Sequence, residues 1–445
     1  MAPTDQDLTT RNIEPLPYLK TFALFALSMI LNRLIRQTDL SFLSYFDPNY
    51  LNIFAYLNRM SWLESMVMFA LVPLIIKIIY QHQHSPILGQ LLHAILILSG
   101  LTMIGASLVY ATAILGTGLH NDSMMYLYGA AYQVGYIPLI LTITFLHMAL
   151  FSLGYGGFVL KLTLFKLGLN VVLDAFFMHY LGLGFHGVFV ATYGVYLFTL
   201  GMLWIKLKQH HQCLIPRSTL RKSIAFVRGQ AHLVGYESLR LLASLLLIHI
   251  LFYLAYNNWP KSDFAQFSAA HEFLFLTNLF SVALLRVTTM YLESHTHQLN
   301  QGDLLCQFRN SSLKLLGFGL VMSTLYASFQ ENIAKFLYNI QDTSAVWESF
   351  FSVFILYYPL SFLTSLVLAV FHVHNELKTV TQIDVFCRWG LQLPLAAWGL
   401  VNHAPWVVWL AMLISELMII SLGILAWRKH QDNLANELTT HRIDS

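Results

Sequence analysis

Long apolar stretches alternate with short polar breaks along most of this chain. Runs of spanning length fall at about 18–44, 52–79, 87–114, 125–152, 157–181 and 184–207. A second series falls at about 228–256, 264–290, 312–338, 349–373, 378–400 and 406–428. Polar clusters separate them, among them Asp47-Pro48-Asn49, Asn121-Asp122-Ser123, Asn257-Asn258-Trp259-Pro260 and Asn402-His403-Ala404-Pro405. Crossing the hydrocarbon of a bilayer takes roughly 20 apolar residues in a helix. A barrel strand instead shows about ten residues of alternating character. These runs are long and lack period-two alternation. They predict about twelve transmembrane helices in an all-α integral membrane protein.

The break at 209–227 divides the pattern into two sets of six. Each set has a Tyr-x-Pro-Leu step inside its fourth run, Tyr136-Ile137-Pro138-Leu139 and Tyr357-Tyr358-Pro359-Leu360, 221 residues apart. In each set the fifth and sixth runs are joined by a very short turn. Internal duplication is common in carriers that rock between two open states. The expected organisation is an N-terminal lobe at 1–208, a basic linker at 209–227, a C-terminal lobe at 228–430 and a tail at 431–445.

Composition agrees with burial in lipid. Hydrophobic residues make up 57% of the chain, charged residues 11%, and mean hydropathy is +0.60. Soluble domains carry roughly 25% charged residues, so most of this surface faces something other than water. A net charge of +3 offers nothing to nucleic acid. The placement of basic residues is more informative. Lys206, Lys208, Arg217, Arg221, Lys222 and Arg228 crowd the central break, and Lys77, Lys378, Arg428 and Lys429 fall on the same side if spans alternate. The opposite loops hold few, Lys261 and Lys335 being exceptions. By the positive-inside rule both termini and the linker are cytoplasmic. The first 16 residues are polar, unlike a cleaved signal. Cys213, Cys306 and Cys387 form neither a disulfide framework nor a zinc pattern.

Ionisable groups inside spans face a polar interior and often have a task, because each costs roughly 2.5–3.5 kcal/mol at the bilayer centre. Asp39 stands near the end of the first run. Asn170 and Asp174 share one face of the fifth at i, i+4 spacing, and Thr192 lies on the sixth. Two carboxylates, an amide oxygen and a hydroxyl form an oxygen cage suited to Na⁺. Two close carboxylates also suit a shared proton. A plainer reading has Asn170 and Asp174 bridging helices and Asp39 at the wet outer edge. Arg33 and Arg36 lie one turn apart near Asp39, with Arg240, Arg286 and Arg388 in other spans. Facing a cleft, they favour an anionic cargo; otherwise they snorkel to an interface. Arg36 paired with Asp39 would supply the charge of a Na⁺ itself.

The stretch Asn170-Val171-Val172-Leu173-Asp174, the turn Leu181-Gly182-Leu183-Gly184, His186-Gly187-Val188 and Ala191-Thr192 together resemble the helix 5–6 signature of the multidrug and toxic compound extrusion (MATE) carriers. Thr38-Asp39 stands where that family has an acid in its first helix. The resemblance implies two six-helix lobes around a central cleft, and a secondary antiporter exporting an organic compound, cationic or amphipathic, against Na⁺ or H⁺. Carried over, Asp39, Asn170, Asp174 and Thr192 match the cation site of the first lobe, and Glu237 and Glu376 match second-lobe acids. The alternative keeps the fold but takes an anionic or lipid-linked cargo through Arg33 and Arg36. Neither reading needs a cofactor, a nucleic acid or enzymatic chemistry. The expected protein is a monomer of the inner (plasma) membrane.

The chain departs from the family where Gln81-His82-Gln83-His84-Ser85 replaces a G-x-G-D segment, where only Gly302-Asp303 of another survives, and where Glu376 replaces Asp. Three His-x-His pairs, His82/His84, His295/His297 and His372/His374, invite a metal or pH-gate reading, and solvated loop histidines are the preferred one, with no metal site expected.

Overall fold

The computed structural model describes residues 17–46, 87–116, 123–210, 220–295, 301–338, 340–374 and 376–443, with isolated helical positions between 53 and 79. The second predicted span, 52–79, therefore lies largely outside the described residues. So do the His82/His84 pair and His297.

The described chain is helical, with turns between the rods. Lipid offers backbone groups no hydrogen bonds, so each apolar run satisfies its own N–H and C=O groups within a helix. Among the described residues, nine helices are long and apolar enough to cross a membrane, or ten if a bent pair counts as one span. This is a multi-pass membrane protein. Contacts group it into two units, Met1–Ser238 and Leu239–Ser445.

The first unit contains α1 (Tyr18–Phe46), α2 (Ile87–Gly116), α3 (Ser123–Ser152), α4 (Gly156–Ala175) and α5 (Phe185–His210). α1 packs on α4, α2 on α3, and α3 and α4 both on α5. Leu101, Ile104 and Leu108 of α2 are more than 60% exposed and lie along one helix face. In water that stripe would demand a partner; in a bilayer it suits the hydrocarbon. Inside the unit, the Tyr132 ring stacks on Phe189 at 4.7 Å.

α6 (Leu220–Asn258) begins inside the predicted linker and runs from one unit into the other. The second unit continues with α7 (Lys261–His295), α8 (Gln301–Ser328), α9 (Gln330–Tyr338), α10 (Ala345–Val373), α11 (Leu377–Val385), α12 (Leu393–Val401) and α13 (Pro405–Ile443). α10 is central to it, contacting α7, α8 and α13. Its core is aromatic, with Phe267, Trp347, Phe351, Phe354, Tyr358 and Trp409 almost wholly buried.

Two predicted spans need correction. The run 312–338 is not one rod: α8 and α9 meet at 73° around Phe329. Gln330, Glu331, Asn332 and Lys335 make α9 amphipathic, which suits a helix lying at an interface better than one crossing. The run 378–400 is α11, a π-helical stretch Phe386–Gln392 and α12 in sequence. Pro394, at the start of α12, has no N–H and a ring that crowds the preceding turn; a wide π turn relieves both.

A second π stretch, Phe176–Tyr180, ends α4. Each π stretch begins two residues after a buried aspartate, Asp174 in one unit and Asp384 in the other. π turns of this kind recur at functional sites. After each rod comes a tight turn, with Gly182 at φ 66°, Gly184 at φ 51° and His403 at φ 55°. Glycine takes that left-handed backbone without steric penalty.

Candidate functional site

In the first unit a polar seam runs between α1 and α4. Ser28 Oγ meets Thr163 Oγ1 at 3.2 Å. One turn on, the Lys166 Nζ donates to Asn32 Oδ1 at 3.1 Å, and Asn32 Nδ2 donates to the Ser28 carbonyl at 3.0 Å. Further along, the Asn170 Nδ2 donates to Asp39 Oδ1 at 2.7 Å and to Asp174 Oδ2 at 2.8 Å, and reaches Thr38 Oγ1 at 3.3 Å. The contacts climb both helices in the same order, so α1 and α4 run parallel. That is the relation of a first and a fifth span in an alternating series.

The sequence pattern explains the seam. Thr163, Lys166, Asn170 and Asp174 are three, four and four residues apart, which aligns them on one face of an α-helix. Asn170 and Asp174 are fully buried, and Asp39 is 4% exposed. Asp39 is therefore not at a wet outer edge. The amide of Asn170 clasps both carboxylates, and Asn170 Oδ1 and Asp174 Oδ1 remain buried without a hydrogen-bond partner among the described residues.

Thr192 is buried on α5. Its hydroxyl donates to the Val188 carbonyl of its own helix at 2.9 Å. It lies beside Tyr136 of the Tyr-x-Pro-Leu step, whose hydroxyl donates to the Phe189 carbonyl at 3.2 Å and whose ring is near enough to Asp39 for electrostatic interaction. Gly187 brings α5 in close: a Cβ there would stand 3.0 Å from the Met178 backbone nitrogen.

The other sequence-predicted residues fall elsewhere. Arg33 and Arg36 are half-buried on α1, and the Arg36 charge acts on Asp39. Glu237 is buried on α6. Glu376 stands at the head of α11, half-exposed, accepting from Thr379 Oγ1 at 3.0 Å with His430 Nδ1 at 3.5 Å. His374 Nδ1 lies 2.9 Å from the Val370 carbonyl and its ring packs on Trp427. No group of three metal-binding side chains occurs among the described residues.

Two polar features were not anticipated. Lys166, buried at 6% exposure, is one turn before Asn170 on the same face and lies over the Tyr196 ring at 4.9 Å. Its i, i+4 spacing from Asn170 was the available signal. In the second unit, Arg388 Nε donates to Asp384 Oδ1 at 3.0 Å and Arg388 Nη2 to Glu416 Oε1 at 3.3 Å. The Thr364 hydroxyl donates to Glu416 Oε2 at 2.5 Å. Tyr357, from the second Tyr-x-Pro-Leu step, lies within electrostatic range of all three charges. Each unit thus sets its motif tyrosine near a buried aspartate.

No family model matches the chain, and no curated protein matches it either. Solved structures do. A eukaryotic MATE transporter, AtDTX14, superposes with a TM-score of 0.77 at 13% identity, covering 92% of this chain and 95% of its own. A variant of the Vibrio cholerae MATE transporter VcmN gives 0.76 at 15% identity, covering 94% and 96%. The chain has the MATE transporter fold. A MOP superfamily transporter from Pyrococcus furiosus, whose binding pocket is described as having reverse polarity suggesting a different function, gives 0.73 at 16% identity over 96% and 99%. At these identities the MATE fold is shared while side chains are almost wholly replaced, so the polar seam must be judged on its own geometry.

Proposed function

We propose that this MATE-fold chain is a secondary antiporter of the MATE family, which moves an organic compound across the membrane against a cation bound between Asp39, Asn170 and Asp174. The supporting observation is the clasp of two buried carboxylates by one amide, held between two helices. A cation arriving there changes how α1 and α4 are bonded to each other, and so biases one arrangement of the unit over another. Linkage requires that cargo and cation weaken each other's binding. Thr192 and Tyr136 border the site and hold α5 and α3 against it. The chain works as a monomer in the plasma membrane with both termini cytoplasmic, without a cofactor or an enzymatic step.

The test is ethidium movement in proteoliposomes under an imposed pH or Na⁺ gradient, comparing wild type with Asp174→Asn. Gradient-driven movement that disappears in the variant supports the reading. Unchanged movement in the variant removes the site.

A second reading, an anionic or lipid-linked cargo, draws on Arg33, Arg36 and Lys166, three cations on the two helices that form the seam. The reverse-polarity description of the Pyrococcus furiosus neighbour lends it a precedent within the fold. Under this reading Arg33→Ala and Arg36→Ala abolish movement of an anionic lipid probe while membrane insertion stays normal; wild-type movement by both excludes it.

A further inference from the structure

We propose that α9 is a membrane-surface anchor: it lies along the headgroup boundary of the bilayer with Phe329, Phe336 and Leu337 sunk among the acyl chains. It docks there by apolar burial, not by recognising lipid charge. The proposal concerns the second unit alone and holds whatever the cargo.

The three sides of this short helix are the first argument. At about 100° per residue, Ile333, Ala334 and Tyr338 fall on one side, and that side meets protein. Ala334 is fully buried, and the Tyr338 ring packs on Trp347 at 5.8 Å. Glu331, Asn332 and Lys335 fall together on a second side and are exposed. Phe336 and Leu337 fall on a third, with Phe329 at the bend before them; all three are exposed, Phe336 at 87%. No single medium satisfies these sides. Water leaves Phe336 uncovered, and hydrocarbon strips Glu331, Asn332 and Lys335 of their hydration. A helix lying flat at the boundary gives each side its own surroundings, with protein beside it, water above and acyl chains below. The 73° bend after α8 supplies that attitude.

Continuity identifies lipid as the occupant. Val321, Leu325 and Phe329 are exposed at intervals of four, a single row along the spanning helix α8. The row ends at the bend, and the exposed apolar side of α9 follows it. Charge points the same way. Glu331 and Lys335 stand one turn apart and leave α9 with no net charge, so nothing in it selects anionic headgroups.

The helix is also tied to its unit. Trp347 Nε1 of α10 donates to the Gln330 carbonyl at 3.2 Å. Gln266 of α7 brackets the return from α9 to α10: its Nε2 donates to the Asp342 carbonyl at 3.0 Å, and its Oε1 accepts from the Ser344 N–H at 2.7 Å. The depth of α9 in the bilayer thereby sets the level of the adjoining ends of α7, α8 and α10.

The experiment is site-directed spin labelling of the full chain with Cys213→Ser and Cys306→Ser, its buried Cys387 left in place, in phosphatidylcholine vesicles at low protein density. A nitroxide is attached singly at Phe336→Cys, at Lys335→Cys and, as a hydrocarbon reference, at Val321→Cys. Its collisions with oxygen are compared with those of a water-soluble nickel chelate. Oxygen is expected to dominate at Phe336, at about 5–10 Å into the boundary and shallower than Val321, whereas nickel dominates at Lys335. Adding phosphatidylglycerol is expected to leave the Phe336 depth unchanged. Nickel dominating at Phe336 overturns the proposal, as does oxygen dominating at both Phe336 and Lys335, which makes α9 part of a span. Insertion that appears only with phosphatidylglycerol overturns it too, and spin–spin broadening at Phe336 puts a second copy of the chain there instead. Should Phe336→Cys not fold, Leu337→Cys reports on the same side with the same outcomes.

Discussion

At the scale of single residues, buried charge in this protein is held in small closed sets. Asn170 shows how much one amide can carry, since its Nδ2 group serves Asp39 and Asp174 together. Hydrogen bonds to charged groups contribute roughly 1.5–3 kcal/mol each. Asn170→Ala is therefore expected to lower stability by about 2–4 kcal/mol, read as a fall in Tm, with Asp39→Asn in the same chain recovering part of the loss. In the second unit, Arg388 bonds both Asp384 and Glu416. Taking one partner from a buried ion pair costs roughly 3–5 kcal/mol. Arg388→Met should lower Tm sharply, and Arg388→Met/Asp384→Asn/Glu416→Gln should restore most of it. A triple variant no more stable than the single one would show that Arg388 acts through packing instead.

At the scale of elements, both units place a π stretch two residues after an aspartate; in the first it ends α4 at a tight turn, and in the second it leads straight into α12 before the turn at His403. Helices in lipid gain little from apolar burial against each other, and close approach of small residues matters more. Gly187 is such a point, with the Met178 backbone immediately against it. Gly187→Ala forces α5 away from the π stretch and is expected to cost about 1–3 kcal/mol. Gly201→Ala, on the same helix with open space around it, should be neutral or stabilising by up to about 1 kcal/mol. Thermal unfolding of the pair separates close packing from helix propensity. Equal effects would mean that the approach at Gly187 is slack. The bend between α8 and α9 belongs to the same scale: Gln330, Glu331 and Asn332 turn the chain where unbroken hydropathy had suggested a continued span.

At the scale of the whole molecule, charge asymmetry in the loops sets orientation. The proposed topology puts Cys213 on the cytoplasmic side. In a Cys306→Ser/Cys387→Ser chain, a membrane-impermeant maleimide is expected to label Cys213 in inside-out vesicles and to spare it in right-side-out vesicles. The reverse pattern would invert the topology and with it the direction of transport. The seam order from Ser28 to Asp39 against Thr163 to Asp174 is independent of that result, since parallel helices remain parallel either way up.

Sequence alone determined what depends on composition and period. Apolar runs of spanning length dictate helices because lipid leaves the backbone no other partner, and the i, i+4 spacing of Asn170 and Asp174 places them on one face of any helix. What no local pattern could supply is which face meets which. Asp39 lies 131 residues from Asn170, and only the packing of α1 on α4 shows that it is buried beside it rather than wet. Lys166 was missed for the same reason, because a lysine in a span snorkels or pairs according to its neighbours. The Asp384–Arg388–Glu416 set stayed hidden because Glu416 is on another helix, and the π turn that points Arg388 towards it is a tertiary compromise around Pro394. Periodicity is a property of the chain; the partner of a buried charge is decided by the fold, because desolvation makes an unpaired charge intolerable wherever the packing happens to place it.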